Sequence, residues 1–96
     1  MESWELVIIG AGAAGLAAGI YGARSGLKTL IVDEKFAGGT TADAPVVENY
    51  PGFSHIAGNE LAEKMVDHCK KVGGLKLGNL PKEEWRELNN NQLIVY

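Results

Sequence analysis

The strongest constraint on the fold is a glycine-rich loop that lies between two stretches of opposite character. Gly10, Gly12 and Gly15 form a G-x-G-x-x-G pattern directly after the apolar run Leu6-Val7-Ile8-Ile9. The β-branched residues of this run, and the glycine after it, favour a strand buried on both faces, as in parallel sheets. Residues 16–24 are rich in alanine and lack proline, so they predict a helix. The loop is therefore expected to be a strand-to-helix turn.

A second apolar run with an acidic end follows this helix. Gly26 is well placed as the C′ residue that ends the helix, and Thr29-Leu30-Ile31-Val32 predicts the next strand. Asp33 lies 18 residues after Gly15, close to the spacing of an acid that accepts ribose hydroxyls. Glu34 is the other candidate, although Asp33 matches the spacing better. An acid at this position disfavours a 2′-phosphate, so NADP would be a poor ligand.

The three glycines suit a dinucleotide for different reasons. Gly10 allows the tight turn, Gly12 lets the backbone approach a pyrophosphate, and Gly15 allows close helix–strand packing. The unpaired N–H groups at the helix start, together with the helix dipole, then stabilise the phosphates. The alternative is a plain turn that enters an Ala/Gly-rich helix and binds nothing.

The middle of the chain predicts a long loop and a second helix. Residues 37–59 are rich in Gly, Thr, Asp and Pro, and loops of this length are usually functional or disordered. Asn59 is a plausible N-cap for a helix that presents Leu61, Met65 and Cys69 on one face. Gly73-Gly74 is expected to end that helix.

The remaining residues predict further short elements. Residues 75–77 and 93–96 are possible third and fourth strands, and residues 82–88 are a possible helical turn. Trp4 and Trp85 are expected to be packing residues.

Composition narrows the classes of function. A chain of 96 residues with 46% hydrophobic and 22% charged residues predicts one small globular domain. The net charge of −3 argues against non-specific nucleic-acid binding. The acidic N-terminus lacks a signal peptide's basic region, and the apolar stretch after it is too short and glycine-interrupted to span a membrane. We therefore expect a soluble, cytoplasmic protein with no membrane and no nucleic-acid partner.

No side chain in the sequence is typical of a catalytic acid, base or nucleophile, and no metal-ligand spacing is present. Cys69 is the single cysteine, so it forms no intramolecular disulfide and no Cys-x-x-Cys pair. Its place beside His68 allows a reactive thiol, but a buried position on a helix is the simpler interpretation. His55 could approach a bound cofactor, although a single loop histidine is usually only solvated.

Longer segments of the sequence resemble a known family. Residues 7–18 are similar to the N-terminus of two-domain flavoproteins, and residues 26–32 fit the second strand of that group. Gly38-Gly39 precedes Val47-Glu48-Asn49-Tyr50-Pro51-Gly52-Phe53, and residues 58–65 follow. Together these segments resemble the FAD domain of bacterial and archaeal thioredoxin reductases and their close relatives, over roughly residues 5–75.

The resemblance implies an α/β fold, a Rossmann-like βαβ FAD-binding domain with a parallel sheet that is incomplete relative to the family. It also implies FAD rather than NAD as the cofactor. In the family, the glycine loop meets the pyrophosphate and the strand-end acid meets the adenosine ribose, whereas the Gly-Gly segment and the asparagine line the flavin and ribityl side. The implied cofactor contacts are Gly10, Gly12, Ala13, Ala14, Gly15, Asp33, Glu34, Lys35, Gly39, Thr40 and Asn49.

The sequence departs from the family pattern at several points. Thr40 stands where the family usually has glutamine, and Ala13 stands where it usually has proline. The NADPH domain, the redox dithiol and the C-terminal FAD segment are not among these residues, and residues 76–96 match poorly. We therefore expect residues 1–96 to be one partial FAD/NAD(P)-binding domain with residues 76–96 as an extension.

The expected function is the FAD-binding module of a thioredoxin reductase-like oxidoreductase, not competent for the family reaction by itself. One alternative is a non-catalytic adenine-dinucleotide-binding subunit. Another is an inactive fragment that self-associates through an open sheet edge, or that a second chain completes.

Overall fold

The computed structural model describes residues 4–34, 38, 42–81, 83–84 and 93–95. Within these residues, four strands form one sheet in the order β3-β2-β1-β4, and every neighbouring pair is parallel. This arrangement agrees with the predicted α/β class and parallel sheet. The elements in chain order are β1 (Leu6–Ile9), α1 (Ala13–Arg24), β2 (Thr29–Asp33), α2 (Gly58–Lys70), β3 (Leu75–Asn79) and β4 (Leu93–Val95).

The two central strands bury apolar side chains on both of their faces, as the continuous apolar runs predicted. Alternate residues of a strand point to opposite faces of the sheet. Leu6, Ile8 and Ile31 accordingly join the core that also contains Leu16 of α1 and Leu61 of α2. The helices therefore cover one face of β1 and β2.

A second, smaller apolar cluster lies on the other face of the sheet. It contains Trp4, Val7, Leu30 and Val32, and Leu80 packs against it. Trp4 is thus a packing residue, as expected. Trp85 lies outside the described residues.

Close contact between α1 and the sheet depends on two glycines within the helix. A Cβ atom at Gly19 would overlap the side chain of Ile31, and one at Gly22 would lie 2.5 Å from Cδ2 of Leu6. The helix-weakening glycines therefore permit a close approach of helix and sheet, which is the reason we expected for them.

The predicted ends of the helices differ from the observed ones. Helix α1 begins at Ala13 rather than at residue 16 and is followed by Gly26 at φ +93°, in the C′ position that was predicted. The predicted N-cap at Asn59 is wrong, because α2 begins at Gly58 with Ala57 as its N-cap. The N–H of Gly58 donates to the carbonyl of Ala44 at 3.0 Å, so a loop carbonyl accepts from the helix start in place of a capping side chain.

The later elements were only partly predicted. Strand β3 extends two residues beyond the predicted 75–77, and β4 covers most of the predicted 93–96. Helix α2 ends at Lys70, before Gly73-Gly74. Residues 83–84 form part of a short helical turn, and the rest of the segment 82–88 lies outside the described residues.

Cys69 lies deep in the core between α2 and α1. Its side chain is 0% exposed, and its Sγ donates to the carbonyl of Leu16 at 3.6 Å. Burial raises the pKa of the Cys69 thiol by desolvation. His68 is exposed, so the two neighbours do not form a reactive thiol–imidazole site.

The buried thiol yields a test of the fold. We expect iodoacetamide to modify Cys69 far more slowly in the native protein than in urea, because both access and thiolate formation require unfolding. Mass spectrometry of samples quenched over time gives the two rates. Similar rates with and without urea would contradict the burial of this side chain.

Candidate dinucleotide-binding site

The chain turns sharply at the end of β1. Gly10 has φ +114°, a conformation that side-chain-bearing residues rarely adopt. Its N–H donates to the carbonyl of Val32 at 2.8 Å, so the turn begins while the backbone is still bonded to β2. Because this N–H is already used within the protein, the contribution of Gly10 is the turn itself.

The tip of α1 carries backbone donors that the helix does not use. Gly12 is the N-cap, and the first helical bond runs from the N–H of Leu16 to the carbonyl of Gly12 at 2.9 Å. The N–H groups of residues 12–15 therefore have no partner within the helix. No side chain in the described part of the chain caps this end, and the first turn contains no acidic residue.

The helix tip is accessible to a ligand. Ala14 is exposed, and Gly12, Ala13 and Gly15 are half-buried. Unused donors and the positive end of the helix dipole at an accessible tip make an anion-binding arrangement.

The space around Gly12 is open, whereas the space around Gly15 is filled by the protein. A Cβ atom at Gly12 would meet no protein atom within 4 Å, whereas one at Gly15 would overlap the carbonyl oxygen of Gly10. The glycine at 15 is therefore required by the packing of the turn against the helix. Nothing within the described protein requires glycine at 12, which suits a position kept small for a ligand.

The predicted acid and the glycine loop meet at the same edge of the sheet. Oδ2 of Asp33 accepts a hydrogen bond from the N–H of Ala11 at 2.8 Å. The carbonyl of Ala11 in turn accepts from the N–H of Gly38 at 2.6 Å. Sequence reasoning missed Ala11, and the only signal for it was its place as the first variable residue of the G-x-G-x-x-G pattern. Glu34, the other candidate acid, is exposed just beyond β2.

The long loop before α2 is more regular than its composition indicated. Val47 and Ile56 form an antiparallel bridge with backbone bonds of 2.7 and 3.0 Å, and Ile56 is buried in the core. At the tip, the N–H of Phe53 donates to the carbonyl of Tyr50 at 3.1 Å. Pro51 followed by Gly52 at φ +101° is the sequence signature of a type II turn.

The remaining predicted contacts divide into two groups. Asn49 is exposed and lies in the bridged loop, two residues beyond Val47. Lys35, Gly39 and Thr40 lie outside the described residues. His55 is also exposed, and its Nδ1 lies 3.5 Å from Oγ of Ser54.

Neither a metal site nor a membrane-spanning helix is present in the described residues. No group of three or more His, Cys, Asp or Glu side chains there could hold a metal ion. No helix in the same residues has the length and apolar character needed to cross a membrane.

Comparison with known proteins defines the class. A sequence profile of the FAD dependent oxidoreductase family matches residues 5–92. The chain therefore belongs to the family of FAD-dependent oxidoreductases, whose cofactor is FAD. This agrees with the cofactor and the Rossmann-like fold that the resemblance implied.

Curated relatives of similar sequence include thioredoxin reductases. The chain is 47% identical over 70 residues to the thioredoxin reductase of Bacillus subtilis, an alignment that covers 73% of this chain and 22% of that protein. It is 48% identical over 91 residues to the 34.2 kDa protein in the rubredoxin operon of Clostridium pasteurianum, covering 95% of this chain and 29% of the relative. The chain thus spans about a quarter of the length of these curated relatives.

A solved structure gives the same result. The crystal structure of T. acidophilum thioredoxin reductase superimposes with a TM-score of 0.76 and 47% identity, covering 82% of this chain and 25% of that one. The chain therefore resembles the N-terminal FAD-binding part of the thioredoxin reductases. The accessible donors of α1, the open space at Gly12 and the nearby Asp33 carboxylate fit the ADP portion of FAD.

The packed position of Gly15 and the open position of Gly12 predict different effects of alanine on stability. We expect Gly15→Ala to lower the free energy of unfolding by about 1–3 kcal/mol, because the new Cβ displaces the Gly10 carbonyl. Gly12→Ala is the matched control and should cost less, about 0.5–1 kcal/mol, since only the N-cap preference changes and the new Cβ meets no protein atom. Urea midpoints measure both effects. Equal midpoints for the two variants would refute the contact between helix and turn.

Proposed function

We propose that this chain binds the ADP portion of FAD at the N-terminus of α1 and acts as the FAD-binding module of a thioredoxin reductase-like oxidoreductase. One observation carries the proposal: four backbone N–H groups without helical partners lie at an accessible helix tip beside the Asp33 carboxylate. The resemblance to thioredoxin reductases supports FAD as the ligand.

Two kinds of protein group are proposed to contact the cofactor: backbone N–H groups bind the pyrophosphate, and a carboxylate binds the ribose. The N–H groups of Gly12, Ala13, Ala14 and Gly15 stabilise the pyrophosphate charge together with the helix dipole. Asp33, or Glu34 beside it, accepts the adenosine ribose hydroxyls, and either carboxylate repels a 2′-phosphate. The resemblance adds Lys35, Gly39, Thr40 and Asn49 as further contacts, the last three on the flavin and ribityl side.

In this proposal the residues of the chain bind and orient the cofactor, and bound flavin supplies the electron-transfer chemistry. Cys69 takes no part in the redox reaction, because its thiol is buried and its pKa is raised. Reduction of a disulfide by the thioredoxin reductase route needs a dithiol. Because the sequence contains one cysteine, that dithiol would need at least one further cysteine from outside these 96 residues.

The alternative of a subunit or self-associating fragment has one observation in its favour. Strands β3 and β4 are the outer strands, and within the described residues each pairs on one side only. Unpaired strand edges can add a strand from another chain. A second copy of this chain, or a different subunit, would in that case extend the sheet.

The role of the helix tip is tested with two glycine variants. We expect Gly12→Ala to weaken FAD and ADP binding about tenfold or more, equivalent to 1.4 kcal/mol, because a Cβ there occupies space reserved for the ligand. Gly73→Ala is the matched control, since its Cβ also meets open space but lies beyond α2. Isothermal titration calorimetry gives the affinities, and urea midpoints confirm that both variants fold. Unchanged affinity in Gly12→Ala would refute the site.

The same titration distinguishes the two binding proposals. Stronger binding of FAD than of ADP or NAD would support an FAD module. Equal affinity for all three ligands would support an adenine-nucleotide subunit, because only the shared ADP portion would then be recognised.

Self-association yields a separate prediction. If the outer strands add a second copy, the molar mass from light scattering should rise from monomer to dimer as protein concentration increases, since association follows mass action. A constant monomer mass at all concentrations would reject self-association through the outer strands.

A further inference from the structure

Both backbone groups of Ala11 are bonded within the protein. The residue is 3% exposed, its N–H donates to Oδ2 of Asp33, and its carbonyl accepts from the N–H of Gly38. The Ala11 N–H is therefore not available to a ligand, unlike the N–H groups of residues 12–15. The two bonds of Ala11 instead fix the loop between β1 and α1.

The backbone of Asp33 is itself held in place. Its carbonyl accepts from the N–H of Leu80 at 3.1 Å, and the preceding residue, Val32, accepts from the N–H of Gly10. The short aspartate side chain reaches the N–H of Ala11 at 2.8 Å from this fixed position. A bond from a charged carboxylate to a buried N–H is stronger than a neutral one, and its loss leaves a buried donor without a partner.

We propose that Asp33 is a positioning residue of the glycine loop: its carboxylate holds the Ala11 N–H so that the ligand-free loop already presents the donors of residues 12–15. This role rests on the proposed dinucleotide function and adds to the contact with the ribose. Preorganisation of this kind strengthens binding because the ligand does not have to order the loop.

The two roles of Asp33 predict different responses to a ligand without ribose hydroxyls. If Asp33 only contacts the diol, its removal leaves the binding of 2′,3′-dideoxy-ADP unchanged. If Asp33 also positions the loop, its removal weakens dideoxy-ADP binding as well, since the phosphate donors of residues 12–15 are then no longer held in place.

The experiment compares Asp33→Ala with Asp33→Asn. Both variants remove the charge, but asparagine retains an oxygen acceptor at the same distance from the backbone. We expect Asp33→Ala to weaken the binding of both ADP and dideoxy-ADP by about tenfold or more, equivalent to 1.4 kcal/mol. We expect Asp33→Asn to bind dideoxy-ADP within a few-fold of the unaltered protein. Loss of ADP binding alone in Asp33→Ala would overturn the positioning role.

Amide hydrogen exchange of ligand-free protein supplies a readout that does not depend on binding. In Asp33→Ala the Ala11 amide should exchange faster, whereas in Asp33→Asn it should stay protected. Glu34→Ala removes the neighbouring charge and is the control for this readout alone, with exchange at Ala11 expected to be unchanged. An unaltered Ala11 rate in Asp33→Ala would reject the proposal.

Failure of the proposed dinucleotide function can be distinguished from failure of the Asp33 positioning role. If the unaltered protein binds neither FAD nor ADP, the proposed function fails, and exchange at Ala11 still decides whether Asp33 holds the loop. If Asp33→Ala does not fold, the Ala11 amide proton resonance in Asp33→Asn decides instead. Loss of the charged acceptor should shift it upfield, and an unshifted resonance would reject the bond.

Discussion

The parallel pairing of β1 with β2 is the interaction on which the site depends. Their register places Ile9 opposite Val32, so the strands reach the same edge of the sheet together. The residues that follow this pair, Gly10 and Asp33, therefore lie side by side at the edge of the sheet. There the glycine loop and the acid can meet. The backbone bond from Gly10 to Val32 and the side-chain bond from Ala11 to Asp33 extend this pairing past the strands themselves. A slip of the register would separate the carboxylate from the loop as well as move apolar side chains to the wrong face.

Burial on both faces explains how so short a sheet holds that register. The side chains of Val7 and Val32 are 0% exposed on one face, and those of Leu16 and Ile31 are 0% exposed on the other. At roughly 1.5–3 kcal/mol for each fully buried aliphatic side chain, the two clusters supply the main favourable contribution to folding. The glycines of α1 contribute indirectly, since they let the helix approach closely enough for its apolar side chains to meet the sheet. The functional edge is thus stabilised by residues that take no part in binding.

The sequence predicted the features that depend on short-range patterns. Apolar runs gave β1 and β2, glycine spacing gave the turn and the start region of α1, and residue periodicity gave the buried face of α2 that includes Cys69. Long-range contacts were not predictable in this way. The predicted N-cap of α2 was wrong by two residues, Asn59 instead of Ala57, because the helix start is fixed by a bond from Gly58 to the carbonyl of Ala44, a distant residue. The bond between Ala11 and Asp33 was also missed, because it joins residues that are distant in sequence. In addition, an alanine between two glycines gives no sequence signal of its own. The bridge of Val47 with Ile56 likewise joins residues whose local composition indicates only a loop.

The strand order β3-β2-β1-β4 has a consequence for how the chain acquires its structure during translation. Leu6 pairs with Thr29 on one side and with Leu93 on the other, so one edge of β1 gains its partner only after residues 93–95 have left the ribosome. The unit formed by β1, α1 and β2 can assemble early, since its contacts are local, whereas closure by β4 is a late, long-range event. Until then, the nascent polypeptide exposes an apolar strand whose edge amides have no strand partner, a surface that is prone to aggregation.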